Sequence, residues 1–219
     1  MTKPIGILLV DDHAIVRLGY RALFGKQSDM RLLAEAADAD QAYRLYQSLQ
    51  PDIVVTDWSL PEQSGLHLIS RIKQRDADAR ILVFSMHQNP AFAEAACRAG
   101  ALGYVTKNSA PEILLQGIRE IRQGRRFLSA DIAQALALEK LQAAASPLQQ
   151  LTGRELEIFR LLTSGRGTEQ IAALLHLSQK TVANHHYAIK KKLGVTNDIE
   201  LTHLALKWRL FDLPSEPKD

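Results

Sequence analysis

One short stretch, Ile53-Val54-Val55-Thr56-Asp57, most constrains how this chain of 219 residues can fold. Four apolar or β-branched residues run without a break into a single carboxylate. A continuous apolar run of this length is typical of a strand buried on both faces of a parallel sheet. In such sheets, ligand chemistry gathers beyond the carboxyl ends of the strands. Asp57 is therefore predicted to be a nucleophile or a metal ligand, although an ordinary turn-forming Asp fits the same pattern.

Three other predicted strands also run into polar residues. In chain order, these residues are Asp11 and Asp12, then Ser85, then Lys107. Neighbouring carboxylates repel each other and are costly to bury without a cation. If Asp11, Asp12 and Asp57 meet at one edge of the sheet, they suit a hard divalent ion, with Mg²⁺ the best fit. A phosphoryl group on Asp57 would then find Mg²⁺ and Lys107 against its charge, and Ser85 as a hydrogen-bond donor.

Strand and helix patterns alternate five times in the first 125 residues. The predicted strands are Ile5–Val10, Arg31–Ala36, Ile53–Asp57, Ile81–Ser85 and Gly103–Val105. This order predicts an α/β domain with a five-stranded, parallel, doubly wound sheet of the flavodoxin-like type. Residues 126–148 are predicted to be a helical or flexible linker, and residues 213–219 a disordered tail.

Residues 149–212 are predicted to form an all-α domain of four helices. A short helix, Thr168–Leu175, is followed by a tight connection and a longer helix, Gln179–Leu193, as in a helix-turn-helix. Residues 1–122 carry 14 basic and 14 acidic residues, whereas residues 151–211 carry 9 basic and 5 acidic ones, a balance of 9 − 5 = +4. A neutral domain followed by a basic one favours a regulatory module joined to a nucleic-acid binder.

The first domain resembles the receiver domain of two-component response regulators. The resemblance rests on the strand-end residues given above together with Tyr104. It implies that Asp57 accepts a phosphoryl group from a sensor histidine kinase. It also implies that Mg²⁺ is held by Asp11, Asp12, Asp57 and the backbone carbonyl of Ser59. The residues that would contact the phosphoryl group or respond to it are Ser85, Lys107 and Tyr104.

The second domain resembles the four-helix DNA-binding domain of the LuxR/NarL/FixJ regulators. The matching motifs are Leu151-Thr152-x-Arg154-Glu155, Glu169-x-Ile171-Ala172, Ser178-x-x-Thr181-Val182-x-x-His185 and Lys192-Leu193-Gly194-Val195. The resemblance implies that a homodimer, formed on phosphorylation, binds double-stranded DNA at a two-half-site operator. The implied DNA contacts are Lys180, Thr181, Ala183, Asn184, Tyr187, Lys190 and Lys191. The closing stretch, residues 194–201, looks most like the hexose-phosphate-uptake regulator branch.

Together these features predict a phosphorylation-dependent transcriptional regulator rather than an enzyme. A haloacid-dehalogenase-type phosphatase would need a second acid two residues after its nucleophile, where this chain has Ser59. A phosphorylation-independent DNA-binding protein, whose receiver serves only for dimerisation, remains the alternative.

The single cysteine excludes an intrachain disulfide, and no apolar run approaches the ~20 residues of a membrane span, so a cytoplasmic protein without a membrane partner is expected. His13 and His87, beside the predicted site, are expected to be solvated loop residues.

Overall fold

The computed structural model of the protein describes residues 3–61, 63–141 and 147–208. Within these ranges, strands and helices alternate as far as residue 122, and helices dominate the remainder. None of the helices described there is both long and apolar enough to cross a membrane.

The first domain is built on a single parallel sheet. Its strands are β1 (Ile5–Val10), β2 (Met30–Ala36), β3 (Ile53–Thr56), β4 (Ile81–Ser85), β5 (Gly103–Thr106) and β6 (Phe127–Leu128). They lie in the order β2-β1-β3-β4-β5-β6, and each neighbouring pair is parallel. The strand order therefore reverses between β1 and β3, where a doubly wound sheet forms its ligand crevice.

The prediction of a doubly wound α/β sheet is confirmed, but the predicted sheet is one strand short. β6 pairs with β5 through Gly103 and Tyr104, inside the segment predicted to be a linker. Gly124, with φ +78°, turns the chain back towards the sheet after the last helix of the domain. Two residues cannot display the alternation that marks a strand, so this pairing was hidden from sequence patterns.

Helices cover both faces of the sheet. They are α1 (Ala14–Gly25), α2 (Ala39–Leu49), α3 (Gly65–Arg75), α4 (Pro90–Ala99) and α5 (Pro111–Arg122). Successive residues of β1 belong to two different apolar clusters: Leu8 packs in the one that contains α2, α3 and α4, and Ile7 in the one that contains α1 and α5. Alternation of this kind explains why the strands read as continuous apolar runs.

Five further helices follow the sheet in the described part of the chain. They are α6 (Ala130–Leu141), α7 (Gly153–Thr163), α8 (Thr168–Leu174), α9 (Gln179–Leu193) and α10 (Asp198–Lys207), with a 3₁₀ turn at Pro147–Gln150 before α7. Their buried residues continue the apolar cluster on the α3–α4 side of the sheet, so the two domains share one packed core. The four helices α7–α10 confirm the predicted helix-turn-helix domain.

Helix α9 has well-formed ends. The Ser178 side chain accepts a hydrogen bond from the backbone N–H of Thr181 at 3.0 Å. Gly194 closes the helix in the left-handed region at φ +69°, a conformation that glycine adopts without steric cost. Both residues lie where the sequence predicts the ends of the longer helix.

Candidate functional site

Three charged residues converge where the strands β1, β3 and β5 end. Asp11 and Asp57 are almost completely buried, and Lys107 lies between them. The Lys107 Nζ donates to Asp11 Oδ2 at 2.5 Å and to Asp57 Oδ2 at 2.7 Å. The pairing of Val10 with Thr56 sets the two acids side by side, because each follows its strand directly. The predicted convergence of Asp57, Asp11 and Lys107 is thus present in the structure.

The electrostatics of this cluster are dominated by burial. Burial raises the pKa of Asp57, and the positive charge of Lys107 opposes that rise. Burial also disfavours the charge on Lys107, but the carboxylates of Asp57 and Asp11 outweigh it and raise the pKa of the ammonium group. Two buried acids bridged by a single cation leave a site that can accept further positive charge.

The acids also form a group that could hold a metal ion. Asp11, Asp12, His13 and Asp57 each offer a ligand atom within 4.8 Å of the others. His13 is largely exposed, as expected, and its Nδ1 lies 2.8 Å from Asp12 Oδ1. The backbone N–H of Ser59 donates to Asp57 Oδ1 at 3.2 Å, which keeps Ser59 beside the carboxylate. Clustered carboxylate oxygens are the donor set that Mg²⁺ prefers.

Ser85 and Tyr104 lie beside the charged cluster and are linked through His87. The backbone N–H of His87 donates to Ser85 Oγ at 3.3 Å, and the Tyr104 hydroxyl donates to the His87 carbonyl at 2.9 Å. Both Ser85 and Tyr104 are completely buried. The predicted switch pair therefore lies inward in this structure, with the Tyr104 ring packed in the core.

His87 is the site residue whose role was missed from the sequence. Its Nε2 shares a 3.0 Å hydrogen bond with Ser59 Oγ, and its ring stacks on Phe92 with the centroids 4.3 Å apart. Burial, reinforced by the charges of Arg160 and Lys107, lowers its pKa to about 3, so the ring is neutral. The expectation of a solvated histidine is wrong for His87, because α4 brings an aromatic face over its ring. Its position two residues after Ser85 was the only signal available.

A second candidate surface lies on α9. The side chains exposed there at helical spacing are those of Lys180, Ala183, Asn184, Tyr187 and Lys191. At 100° per residue they fall on one face of the helix, and none of the described residues of the first domain covers it. An exposed helix face that carries two lysines, an asparagine and a tyrosine suits contact with DNA.

Three other polar residues of α9 have partners within the second domain. Thr181 shares a 2.8 Å hydrogen bond with Ser178 at the helix start. Lys190 lies 3.2 Å from Asp198, and Lys192 lies 2.6 Å from Glu155 on α7. Lys192, which is not among the expected DNA contacts, therefore ties α9 to α7.

Two family models match the chain. The model described as the response regulator receiver domain matches residues 7–119. The model described as bacterial regulatory proteins of the luxR family matches residues 149–205. The first match contains the charged cluster, and the second contains α9.

Known proteins are similar to this chain over 64% to 93% of its length. The response regulator UvrY of Escherichia coli (strain K12) is 34% identical over 205 residues, which cover 93% of this chain and 94% of UvrY. A LuxR-family two-component response regulator from Aurantimonas sp. has a TM-score of 0.62 and 52% identity, over 64% of this chain and 99% of that one. A third structure is that of RcsB from Salmonella enterica serovar Typhimurium, bound to promoter rprA in the presence of phosphomimetic BeF₃⁻. It has a TM-score of 0.76 and 26% identity, over 92% of this chain and 98% of the RcsB chain.

Proposed function

Because this chain belongs to the two-component response regulators that carry a luxR-family domain, we propose that a phosphoryl group on Asp57 switches its binding to DNA. The donor would be a phosphohistidine of a sensor histidine kinase. The observation that carries the proposal is the contact of Lys107 with both Asp57 and Asp11 where the strands β1, β3 and β5 end. This arrangement places a fixed positive charge against the carboxylate that would accept the phosphoryl group.

The transfer needs only groups that the site and the donor supply. One Asp57 oxygen forms a bond to phosphorus as the nitrogen–phosphorus bond of the donor breaks. The electron pair stays on the nitrogen, and the imidazole leaves as a neutral ring because its other nitrogen is protonated. Lys107 offsets the charge that gathers on the phosphoryl oxygens. Bound Mg²⁺, with Asp11, Asp12, Asp57 and the Ser59 carbonyl as proposed ligands, would supply further stabilisation of those oxygens.

The signal would travel through Ser85, His87 and Tyr104. A phosphoryl group adds a charge of about −1.5 to −2 and three strong acceptor oxygens. The Ser85 hydroxyl can donate to one of them, and His87 connects Ser85 with the Tyr104 hydroxyl. A shift of Ser85 would thereby stabilise one packing of the Tyr104 side of the sheet over another.

The output would be a homodimer that places α9 in the major groove at each of two half-sites. In this structure the α9 face that carries Asn184 and Tyr187 is exposed, so the arrangement of the domains leaves it free for DNA. Asn184 could read an adenine, and Lys180 and Lys191 could contact phosphates. The similarity of RcsB, which is bound to a promoter, supports this use of the second domain.

The test is phosphorylation by acetyl phosphate with Mg²⁺, followed by intact-mass measurement. Wild type should gain one phosphoryl group, and Asp57→Asn should gain none. Asp78→Asn, which removes an exposed acid elsewhere on the first domain, is the matched control and should behave as wild type. If wild type is modified neither by acetyl phosphate nor by a phosphohistidine donor, the receiver is a dimerisation module alone and the proposal is wrong.

A further inference from the structure

Helix α7 of the second domain packs against the loop that follows Asp57. The Glu157 Oε1 on α7 accepts a hydrogen bond from the backbone N–H of Ser64 at 3.3 Å. A cavity of about 220 Å³ lies at this junction, with Leu60 and Pro61 of the loop on its wall. Arg160 of α7 lines the same cavity. The DNA-binding domain therefore reaches the segment that runs directly out of the proposed phosphorylation site.

This junction holds the unsatisfied polar atoms of the interior. Among the described residues, three buried side-chain atoms have no hydrogen-bond partner: Trp58 Nε1, Gln63 Oε1 and Arg160 Nε. Two of them belong to the loop after Asp57, and the third belongs to the helix that docks on it. Leaving a buried guanidinium donor without a partner is costly, so a compensating negative charge is expected near it.

The negative charges near Arg160 come from both domains. Burial lowers the pKa of Arg160, and the carboxylates of Glu157 and Asp57 oppose that effect, while Arg166 adds to it. The Arg160 charge also contributes to the lowered pKa of His87 in the phosphorylation site. Glu157 already forms an ion pair with Arg154 at 2.8 Å, so its charge is shared between two cations. Of the two acids whose charge acts on Arg160, Asp57 is the one that the proposed function would change, and the loop that follows it lies on the same cavity wall as Arg160.

We propose that Arg160 is the positioning residue through which the DNA-binding domain senses the charge on Asp57. The inference rests on the proposed function, since it needs Asp57 to be the phosphorylated residue. With α7 docked, the half-buried guanidinium of Arg160 stabilises the added negative charge of the phosphoryl group. By linkage, a phosphoryl group on Asp57 strengthens the docking of α7, and a docked α7 raises the affinity of the site for the phosphoryl group. The docked arrangement is also the one that leaves the α9 face exposed.

The effect of Arg160 on the affinity of the site can be measured on the full-length chain, with beryllofluoride and Mg²⁺ in place of the phosphoryl group. Trp58, next to Asp57, supplies a fluorescence signal for the titration. Arg160→Met keeps most of the side-chain length without the charge and should weaken beryllofluoride binding by about tenfold. Arg160→Lys keeps the charge and should stay within about threefold of wild type. Arg166→Met removes an exposed arginine from the same cavity wall and should bind as wild type does.

The outcomes separate the inference from the proposed function. If wild type does not bind beryllofluoride, the proposed function fails and the inference fails with it. If wild type binds but Arg160→Met binds equally well, only the inference is overturned. If Arg160→Lys loses as much affinity as Arg160→Met, the arginine acts through packing and its charge is not sensed. Thermal unfolding of each variant, recorded beside the titration, shows that the fold is retained.

Discussion

At the level of single residues, the proposed phosphorylation site depends on a close approach of two backbone segments. The N–H of Gly65, at the start of α3, donates to the Trp58 carbonyl at 2.8 Å. A Cβ atom added to Gly65 would lie 2.0 Å from the backbone oxygen of Asp57. A side chain at this position would therefore move the backbone of Asp57 itself.

Gly65→Ala should destabilise the protein and slow phosphorylation, because the added methyl group pushes Asp57 away from Lys107. The expected loss in the free energy of unfolding is about 1–3 kcal/mol, as for overpacking in a core. Urea unfolding and the rate of modification by acetyl phosphate measure the two effects.

Gly19→Ala provides the comparison for that variant. A Cβ at Gly19, on the exposed side of α1, would meet no atom within 4 Å. This substitution should leave phosphorylation unchanged and stabilise the helix by up to about 1 kcal/mol. If both glycine variants behave alike, the close approach at Gly65 does not control the site.

The residues at the strand ends could be predicted because topology alone brings them together. Asp11, Asp57 and Lys107 each follow a buried strand, and parallel strands deliver their ends to one edge of a sheet. His87 could not be predicted, because its environment is formed by Phe92 and by the loop of Ser59, which no local pattern specifies. The same holds for Arg160, which lies beside the loop after Asp57 only because the two domains pack together.

At the level of secondary-structure elements, an ion pair joins α7 to α9. Glu155 closes a capping box with Thr152 and accepts a hydrogen bond from Lys192 Nζ at 2.6 Å. Burial works against the charge of Glu155, but the hydrogen bonds from Lys192 and from the Thr152 backbone outweigh it and lower its pKa. The lysine nearest the C-terminal end of α9 is therefore structural.

Glu155→Gln should cost about 1 kcal/mol of stability at neutral pH, because Gln keeps the capping bond and loses the charge. Because the pKa of Glu155 is lower in the folded protein, its charged form stabilises the fold at pH values above 4.5, the ordinary pKa of a glutamate. The difference between wild type and variant should therefore shrink as the pH falls below that value. Thermal unfolding from neutral to acidic pH measures it.

The control for this comparison is Glu169→Gln. Glu169 is an exposed acid on α8 of the same domain, so its substitution removes the same charge without breaking an ion pair to α9. A difference that stays constant with pH for Glu155→Gln would contradict the ion-pair account.

Substitutions on the exposed face of α9 should distinguish contacts to DNA phosphates from contacts to bases. Lys191→Ala should weaken binding to all sequences alike and reduce the salt dependence by about one unit of slope. Asn184→Ala should keep that slope and lose about 1–3 kcal/mol of discrimination between operators. Titrations of selected genomic fragments at several salt concentrations distinguish the two.

Lys207→Ala, an exposed lysine on α10, controls for the loss of one positive charge from the domain. This variant should change the salt-dependence slope less than Lys191→Ala does, and the discrimination between operators less than Asn184→Ala does. Equal effects of all three substitutions would show that α9 has no special role.

At the scale of the whole molecule, both domains could be predicted from sequence, whereas their arrangement could not. Buried-strand runs and helix caps marked the sheet and the helix-turn-helix, because those signals are local. β6 and the docking of α7 are long-range contacts. The docking of α7 joins the two domains, because one apolar core extends from the α3–α4 side of the sheet into α7–α10.

The central claim is that phosphorylation of Asp57 changes the assembly of the protein. Sedimentation velocity of wild type and Asp57→Asn, each with and without acetyl phosphate and Mg²⁺, tests it most directly. Only phosphorylated wild type should shift from monomer towards dimer, while Asp57→Asn should sediment alike in both conditions. A dimer that forms equally in both proteins, with or without acetyl phosphate, would contradict it.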